Sequence, residues 1–347
     1  MAREATKSTT MNGGDGEYSY FQNSSFQRSQ MESVKLLIKE GIDEKFDVIS
    51  SSPEFIRIAD FGCSVGPNTF IAMQNIIDSM KLKYQSHYGL EFQVLFNDFI
   101  SNDFNTLFKN LPLNRQYLAA AVPGTFHGRL VPKNSLHFVH SSFSLHWLSH
   151  APEELVDESS PAYNKGRIFY TGAPVEVLEA YLAQFAMDMT SFLDARSLEL
   201  VHGGLMTLIL PCIPDGIPRA QSDFLICNDL LESSLIDLTK EGSVSEGKLD
   251  SFNLPIYNPT VQEFKALIES NPCFSIERMA SLILDEEEFN VQTVRWFHSP
   301  ELFGKDFSVT TLVMTSLMSC LIGTPKKLTL SSIQDHQYMI CFWFLSF

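Results

Sequence analysis

Two carboxylates on either side of a glycine turn have the spacing best suited to chemistry in this chain. Asp60 ends a short apolar run over residues 55–59, and Asp98 ends the next such run. Just after Asp60, Gly62 and Gly66 let the backbone turn closely beneath a ligand. Apolar runs of this kind are typical of buried parallel strands, whose carboxyl ends are where ligands bind. The stretch therefore predicts a cofactor-binding site formed by a strand, a turn and a helix.

The details of the turn decide which nucleotide it could hold. A phosphate-binding P-loop ends in Gly-Lys-Ser/Thr, whereas this turn closes as Gly66-Pro-Asn-Thr without the lysine. A dinucleotide site requires a third glycine and an acid about 20 residues on, but here the acid at the next strand end is Asp98. These features favour S-adenosylmethionine (SAM), which needs a carboxylate for its ribose hydroxyls and carries no phosphate. Any sharp turn in an α/β domain is the alternative, and the residues alone leave it open.

The element after the turn is predicted to be a helix. Pro67 suits its first turn, Asn68 or Thr69 could bond the free amides there, and an apolar helical face follows from Phe70 to Met80.

Further along the chain, helical and strand patterns alternate. A long amphipathic helix is predicted over 176–201 and is expected to end at Gly203-Gly204, with a strand over 205–210. A helix over 260–270 opens with Thr260 and Glu263 as a capping box, and a strand over 274–279 follows. This alternation predicts a doubly wound α/β sheet.

A second group of polar and aromatic side chains follows the strand predicted over 136–140. The segment 141–149 lies at its carboxyl end and is the natural place for substrate contacts, although Trp147 could equally belong to the core. His137, His140, His146 and His150 cluster here and suggest a metal site. We reject it because His137 and His140 would face opposite sides of a strand, and no carboxylate lies at ligand spacing.

Composition restricts the possible partners. The chain has 347 residues and a formal net charge of −16, which argues against nucleic acid and against an anionic membrane. A small molecule is therefore the expected partner. The six cysteines are scattered without a paired spacing, no apolar signal region precedes the polar start, and no apolar run reaches spanning length. We expect a cytoplasmic protein.

The amino terminus allows two interpretations. Residues 1–10 read as a disordered lead, and residues 11–20 form a glycine-rich loop that ends in aromatics. Such a loop could close over a ligand as a lid, or it could be a flexible terminus.

Several motifs resemble one family, the plant SABATH methyltransferases, which transfer a methyl group from SAM to small carboxylic acids or, in one branch, to xanthine nitrogens. They are spread over residues 11–322 and comprise Met11-Asn-Gly-Gly-Asp-Gly with Ser19-Tyr20, Ile58-Ala-Asp-Phe-Gly-Cys-Ser-Val-Gly-Pro-Asn-Thr69, Phe96-Asn-Asp98, Pro123-Gly-Thr-Phe126 with Arg129, His146-Trp-Leu-Ser149, Tyr163-Asn-Lys-Gly166 and Asp250-Ser-Phe-Asn253. The resemblance implies a Rossmann-like SAM-dependent methyltransferase sheet with a mostly helical cap, and a homodimer. The core would comprise 11–210 and 250–322, the cap 211–249, and the remainder a tail over 323–347.

The resemblance also implies site residues, position by position. The SAM contacts would be Tyr20, Asp60, Cys63, Asn68, Asp98, Phe99, Thr125 and Phe126, with Thr125 where a serine is usual. The substrate side would comprise Gln27 and Trp147 on the carboxylate, with Phe143 and His146 as pocket wall. A structural Mg²⁺ site would use Asn164, Asp250, Phe252 and Asn253. No side chain would act as an obligatory base, because a carboxylic acid with a reference pKa near ~4 is already ionised at neutral pH.

Some features depart from the family. Phe143 stands where tyrosine is common, and the segment 211–221 shows little of the usual cap sequence, so the acid is left open. Residues 323–347 look unrelated to the family ending, and their apolar run from Tyr338 is expected to dock imperfectly and to reduce stability. Methylation of a small acid is the predicted function. Xanthine N-methylation and a ligand-binding but inactive variant are the alternatives.

Overall fold

The computed structural model describes residues 10–16, 19–47, 55–84, 89–283 and 339–347. Its strands are β1 (Phe55–Phe61), β2 (Glu91–Asp98), β3 (Leu118–Pro123), β4 (Leu136–Ser142), β5 (Leu200–Pro211), β6 (Ser275–Ile283) and β7 (Met339–Ser346). They form one sheet in the order β3-β2-β1-β4-β5-β7-β6, with β1 to β5 parallel and β7 antiparallel to both neighbours. The strand order reverses between β1 and β4, where ligands bind in open α/β sheets. The predicted α/β, Rossmann-like sheet is confirmed.

The helices are α1 (Tyr20–Asn23), α2 (Ser25–Lys45), α3 (Asn68–Lys83), α4 (Phe104–Lys109), α5 (Val175–Glu199), α6 (Asp223–Lys240), α7 (Glu246–Asp250) and α8 (Val261–Ser270). The capping box of α8 is confirmed, since Thr260 Oγ1 accepts from the Glu263 amide at 3.1 Å and Glu263 Oε2 accepts from the Thr260 amide at 2.8 Å. The segment 211–249, expected to be a helical cap, contains α6 and most of α7. No helix in the described ranges is both long and apolar enough to cross a bilayer.

Both faces of the sheet are buried. On one face, α2 and α3 pack with Ile58, Phe96 and Phe138 in a common apolar cluster. On the other, α5 and α8 join a second cluster that includes Phe61 and Val139. Strands covered on both sides need apolar residues at every position, which explains why they read as continuous runs.

The junction of α5 and β5 differs from its prediction. α5 ends at Glu199, and β5 begins at Leu200 and runs through Gly203 and Gly204, so the prediction that these glycines end the helix is wrong. Gly203 has φ +76°, and its amide donates to the Phe347 carbonyl at 2.9 Å, while the Phe347 amide donates to the Gly204 carbonyl at 3.1 Å. The glycines therefore serve the pairing of β5 with the chain end.

The tail also differs from its prediction. β7 inserts between β5 and β6, with Leu208 opposite Trp343 on one side and Ala280 opposite Phe342 on the other. Residues 340–345 are fully buried. The expectation of imperfect docking is therefore wrong, because strand pairing requires main-chain hydrogen bonds and apolar side chains, not a family-like sequence. Residues 284–338, including the start of the tail, lie outside the described residues.

Candidate functional site

The turn between β1 and α3 is pinned to the end of β2. The amides of Gly62 and Cys63 both donate to the Asn97 carbonyl at 2.9 Å. Gly62 and Gly66 have φ +86°, and a Cβ on Gly62 would lie 2.0 Å from Ser144 Oγ. Only glycine satisfies both the backbone angle and this close approach. The predicted strand, turn and helix are confirmed.

Asp98 holds the same turn from the end of β2. Its Oδ2 accepts from the Ser64 amide and its Oδ1 from the Phe99 amide, both at 2.8 Å. Burial raises the pKa of Asp98 to about 6, against the lowering effect of these two amides. Each carboxylate oxygen keeps acceptor capacity for a further donor, such as a ribose hydroxyl.

Asp60 lies at the base of the turn and is almost fully buried. Burial raises the pKa of Asp60 to about 7, while the hydrogen bond donated by Thr69 Oγ1 lowers it. Asn68 Nδ2 donates to the Ser24 carbonyl at 3.0 Å, and its Oδ1 accepts from Arg28 Nε at 3.3 Å. The expected capping role of Asn68 or Thr69 is wrong: α3 has no side-chain cap, because these side chains bond Asp60 and the α1–α2 segment instead.

A cleft opens between this turn and the amino-terminal helices. The predicted residues that line it are Tyr20, Gln27, Asp60, Cys63 and Asn68. The cleft thus brings predicted cofactor residues together with Gln27 of the predicted substrate pair. Burial raises the pKa values of Tyr20 and Cys63, so both remain protonated near neutral pH.

Three further polar residues line the cleft and were not predicted as ligand contacts: Thr69, His140 and Ser142. His140 pairs in register with Asp60 across β1 and β4, so both side chains lie on one face of the sheet. Burial lowers the pKa of His140 to about 3. His140 Nε2, Ser142 Oγ and Gln27 Oε1 are buried with no hydrogen-bond partner in the described structure. The position of His140 and Ser142 at the carboxyl end of a parallel strand was the available signal.

The amino-terminal segment packs beside the cleft. The Tyr20 amide donates to the Asn12 carbonyl at 3.0 Å, and the Gly14 amide donates to Asp103 Oδ2 at 2.9 Å. A Cβ on Gly13 would lie 2.7 Å from Asp103 Cβ, so glycine allows the close approach. Residues 12–14 therefore rest on the loop that follows β2. The predicted disordered lead lies outside the described residues except for Thr10.

The remaining predicted cofactor residues gather at the ends of β2 and β3. The rings of Phe99 and Phe126 lie 6.4 Å apart, and the Gly124 amide donates to the Asp98 carbonyl at 2.9 Å. Thr125 is exposed beside them, and its Oγ1 accepts from the His127 amide at 3.4 Å. These residues form an aromatic edge next to Asp98.

Three of the four predicted substrate residues follow β4. Phe143 has φ +53°, donates its amide to the Ile209 carbonyl at 2.8 Å, and packs edge-on against Phe26 with ring centroids 5.7 Å apart. The rings of His146 and Trp147 lie 5.9 Å apart. Burial lowers the pKa of His146 to about 3, and its Nδ1 is buried without a partner in the described ranges. The wall is aromatic and carries no charge.

A loop behind Trp147 fixes this wall. The Leu148 amide donates to the Pro255 carbonyl at 2.8 Å, and the Tyr257 amide donates to the His146 carbonyl at 2.9 Å. Trp147 and Ile256 form an isolated antiparallel bridge. The segment 254–257 therefore sets the backbone position of the predicted substrate residues.

Three of the four residues predicted for Mg²⁺ lie directly upstream of that loop, and the fourth, Asn164, bonds to them. Asn164 Nδ2 donates to Asn253 Oδ1 at 2.7 Å, and the Gly166 amide donates to Asp250 Oδ1 at 2.7 Å. Asn164 Oδ1 is buried and unpartnered within the described residues. The described residues contain no group of three or more His, Cys, Asp or Glu side chains suited to a metal ion. The set thus offers one carboxylate and a free amide oxygen, which fits a hard cation in part.

Comparisons with known proteins identify the family of this chain. A family model described as SAM dependent carboxyl methyltransferase matches residues 6–323. Loganic acid O-methyltransferase of Catharanthus roseus is 43% identical over 325 residues, covering 92% of this chain and 84% of the relative. Farnesoic acid carboxyl-O-methyltransferase of Arabidopsis thaliana is 44% identical over 306 residues, covering 87% and 85%. The 3,7-dimethylxanthine N-methyltransferase CkTbS of Camellia sinensis var. assamica is 40% identical over 289 residues, covering 80% and 78%.

A solved structure gives the same result at the level of the fold. Loganic acid methyltransferase with SAH superposes with a TM-score of 0.83 at 39% sequence identity, covering 97% of this chain and 98% of that one. The family model and the relatives each span most of the chain. The chain belongs to the SAM-dependent carboxyl methyltransferases of the SABATH family.

Proposed function

We propose that this protein transfers the methyl group of SAM to the carboxylate of a small organic acid, giving a methyl ester. The observation that carries the proposal is the cleft itself, which joins the buried Asp60 of the cofactor side to the Gln27 amide. Relatives named for loganic acid and farnesoic acid support an acid as the substrate class.

Each cofactor residue has a role in this proposal. Asp98 accepts from the ribose hydroxyls, and the Phe99–Phe126 edge flanks the adenine. Asp60, Tyr20, Cys63 and Asn68 surround the remainder of SAM in the cleft. The solved structure of loganic acid methyltransferase with SAH supports SAM as the methyl donor. Asp60, once ionised, would favour the positively charged donor over its neutral product.

The substrate residues act by positioning. Gln27 and the Trp147 indole are neutral donors, which can orient a carboxylate without pairing its charge. Holding the carboxylate in line with the sulfonium methyl can be worth roughly 7–11 kcal/mol. The reaction also annihilates charge, since a carboxylate and a sulfonium give a neutral ester and a thioether. The uncharged wall of Phe26, Phe143 and Trp147 therefore favours it.

The reaction needs no general base, because the acid is already ionised at neutral pH. His146 is a buried neutral imidazole and serves as pocket wall. N-methylation of a xanthine is the second candidate, favoured by one observation: His146 Nδ1 is unpartnered in the described structure and could receive a proton. A relative named as a 3,7-dimethylxanthine N-methyltransferase supports keeping it. An inactive, ligand-binding variant is the third reading, although the docked β7 removes the reason for expecting one.

A bound Mg²⁺ would have a structural role. Asn164 Oδ1, Asp250 and the Phe252–Asn253 segment would hold it, and it would supply charge neutralisation behind the substrate loop rather than chemistry. Direct hydrogen bonds already join these loops, since Asn164 and Asn253 bond each other. Calorimetric titration with Mg²⁺ at constant ionic strength, with Asp250→Asn as the comparison, tests this role.

A homodimer, implied by the resemblance, and a cytoplasmic location, indicated by the scattered cysteines, complete the proposal. Sedimentation velocity of the purified protein over a range of concentrations tests the dimer.

One screen tests the function. Purified protein is incubated with methyl-labelled SAM and, separately, with benzoate-type, iridoid, terpenoid and indole acids and with xanthines. Base-labile methyl label on an acid supports ester formation, and label stable to base on a xanthine favours the second candidate. Binding of SAH without turnover of any compound in the panel would favour the inactive variant.

A further inference from the structure

Helix α5 carries an unusual set of buried polar side chains. Gln184, Asp188, Arg196 and Glu199 are each at most 7% exposed, although the surrounding helix face is apolar. Their spacing of four, eight and three residues places them along one side of the helix. Burying charged groups is unfavourable unless they are fully bonded. Their partners therefore indicate what this side of the helix does.

The carboxyl end of α5 holds the loop after β3. Arg196 donates from Nη1 to the Phe126 carbonyl at 2.8 Å and from Nη2 to the Gly128 carbonyl at 2.9 Å. Its guanidinium lies 4.1 Å from the Phe61 ring centroid and pairs with Glu199 at 2.7 Å. The bonds run to the loop that carries Phe126 of the proposed adenine edge.

Glu199 also holds this loop through hydrogen bonds. Its Oε1 accepts from the amides of Leu130 and Val131, and its Oε2 accepts from Arg196 Nε at 2.8 Å. Arg196 and Glu199 thus bond carbonyls on one side of the loop and amides on the other. Movement of the pair would shift the backbone of Phe126.

The middle of α5 holds the loop after β4 in the same way. Asp188 Oδ2 accepts from the Ser149 amide at 2.8 Å, and its Oδ1 accepts from Ser149 Oγ at 2.7 Å. Gln184 Nε2 donates to Asp188 Oδ1 at 3.0 Å and to Ser149 Oγ at 3.2 Å. Ser149 follows Trp147 by two residues, so this contact fixes the end of the substrate loop.

We infer that α5 sets the distance between the bound methyl donor and the substrate, with Arg196 and Glu199 as positioning residues for SAM and Asp188 as the positioning residue for the acid. The inference rests on the proposed function. One helix holds both loops. His127, in the loop after β3, places its Nδ1 3.4 Å from the backbone carbonyl of Asp188, the helix residue that holds the loop after β4. Because misplacement by about 1 Å can cost roughly a hundredfold in rate, a shared rigid support is a physical means of keeping the two reactants in line.

The test separates the contacts of Arg196 and Glu199 from the contacts of Asp188. Arg196→Lys keeps the charge but loses the fork that reaches three acceptors, so we expect the SAM dissociation constant to rise at least about tenfold, with the KM of the acid unchanged at saturating SAM.

Asp188→Asn keeps the shape but places an amide against the Ser149 donors. We expect a higher acid KM and a lower kcat, with the SAM dissociation constant unchanged. Asp194→Asn, an exposed acid of the same helix, is the matched control and should change neither.

A purely structural role gives a different pattern. Loss of folded enzyme lowers the apparent kcat of every variant and leaves both affinities as they are, and that result would overturn the inference. So would equal weakening of SAM and acid by either variant. If the melting curve shows that Arg196→Lys does not fold, Glu199→Gln replaces it. If neither variant folds, the pair is needed for folding, and the inference that it positions SAM is overturned. The wild-type protein separates failure of the proposed function from failure of this inference. If it turns over no acid, the proposed function fails, but calorimetry with SAH still tests whether Arg196 positions the cofactor.

Discussion

Asp60 and Asp98 are held in the SAM-free protein with pKa values raised to about 7 and about 6, in each case mainly by burial. An acid whose folded pKa lies above its unfolded value binds protons more tightly in the folded state. Stability from such a group is therefore full below the unfolded pKa and is lost as the pH rises through the folded pKa. Ionisation of these two carboxylates therefore destabilises the folded protein, and a bound cationic ligand can offset this effect.

Asp60→Asn tests this destabilisation. The difference between 3.8 and about 7 for Asp60 corresponds to at most roughly 4 kcal/mol, so the SAM-free wild-type protein should melt at a lower temperature at pH 8 than at pH 5. The variant should lose much of that slope, be the more stable protein at pH 8, and bind SAM more weakly. Asp78→Asn, at an exposed acid of α3, should keep the wild-type slope. An Asp60 variant with the wild-type slope would contradict the assignment.

Asp98→Ala tests the ribose contact. Removing a charged acceptor should weaken SAM binding by about 1.5–3 kcal/mol, since no second carboxylate stands at the end of β2. Calorimetry measures the affinity, and a melting curve confirms the fold. Wild-type affinity in a folded variant would remove Asp98 from the site.

His146→Gln tests the absence of a base. On a carboxylic acid the variant should retain much of the wild-type kcat, because the nucleophile is already ionised. Gln27→Ala should lose kcat/KM on the same acid, because the carboxylate loses an orienting donor. If folded His146→Gln were inactive on every substrate, proton abstraction and the xanthine reading would gain support.

At the scale of elements, α2 passes directly over β7. A Cβ on Gly41 would lie 2.6 Å from the Phe344 ring, although alanine is the better helix former. Glycine at position 41 therefore lets α2 pack closely on β7, a strand that is distant in the sequence.

Gly41→Ala should therefore destabilise the protein, despite a helix propensity gain of up to about 1 kcal/mol. Gly247→Ala, in α7 with open space around its Cβ position, is the matched control and should be neutral or stabilising. Adding Phe344→Leu to Gly41→Ala should recover part of the loss, because the ring that clashes is gone. Chemical denaturation of the four proteins measures these differences, and a stable Gly41→Ala protein would contradict the contact.

At the scale of the whole molecule, β7 completes the sheet. It pairs along its length with β5 and β6, and the side chains of residues 340–345 are fully buried between the two apolar clusters. Its removal would leave two strands without their shared neighbour and would open both clusters to water.

Truncation of residues 339–347 should therefore give an insoluble protein or a large fall in melting temperature. Phe342→Ala is the milder version and should cost roughly 3–5 kcal/mol, since this ring is fully buried. A truncated protein that keeps its solubility and its melting temperature would restore the view of the tail as a loose segment.

The sequence by itself determined what depends on neighbouring residues. The turn with Gly62 and Gly66, the acid at the end of β2 and the capping box of α8 were all readable, because each is a local pattern with its own physical cause. The family resemblance added the prediction that Gln27 and Trp147 hold the substrate.

Only the tertiary structure decided which distant groups meet. His140 joins Asp60 in the cleft through strand register, Arg196 holds the loop of Phe126 through hydrogen bonds to two backbone carbonyls, and the apolar tail run becomes an interior strand. Gly203 reads as a helix end but serves the β5–β7 pairing. A sequence pattern records which face a side chain takes on its own element. The partner on that face depends on how separate elements pack, and that is set by the free energy of the whole core.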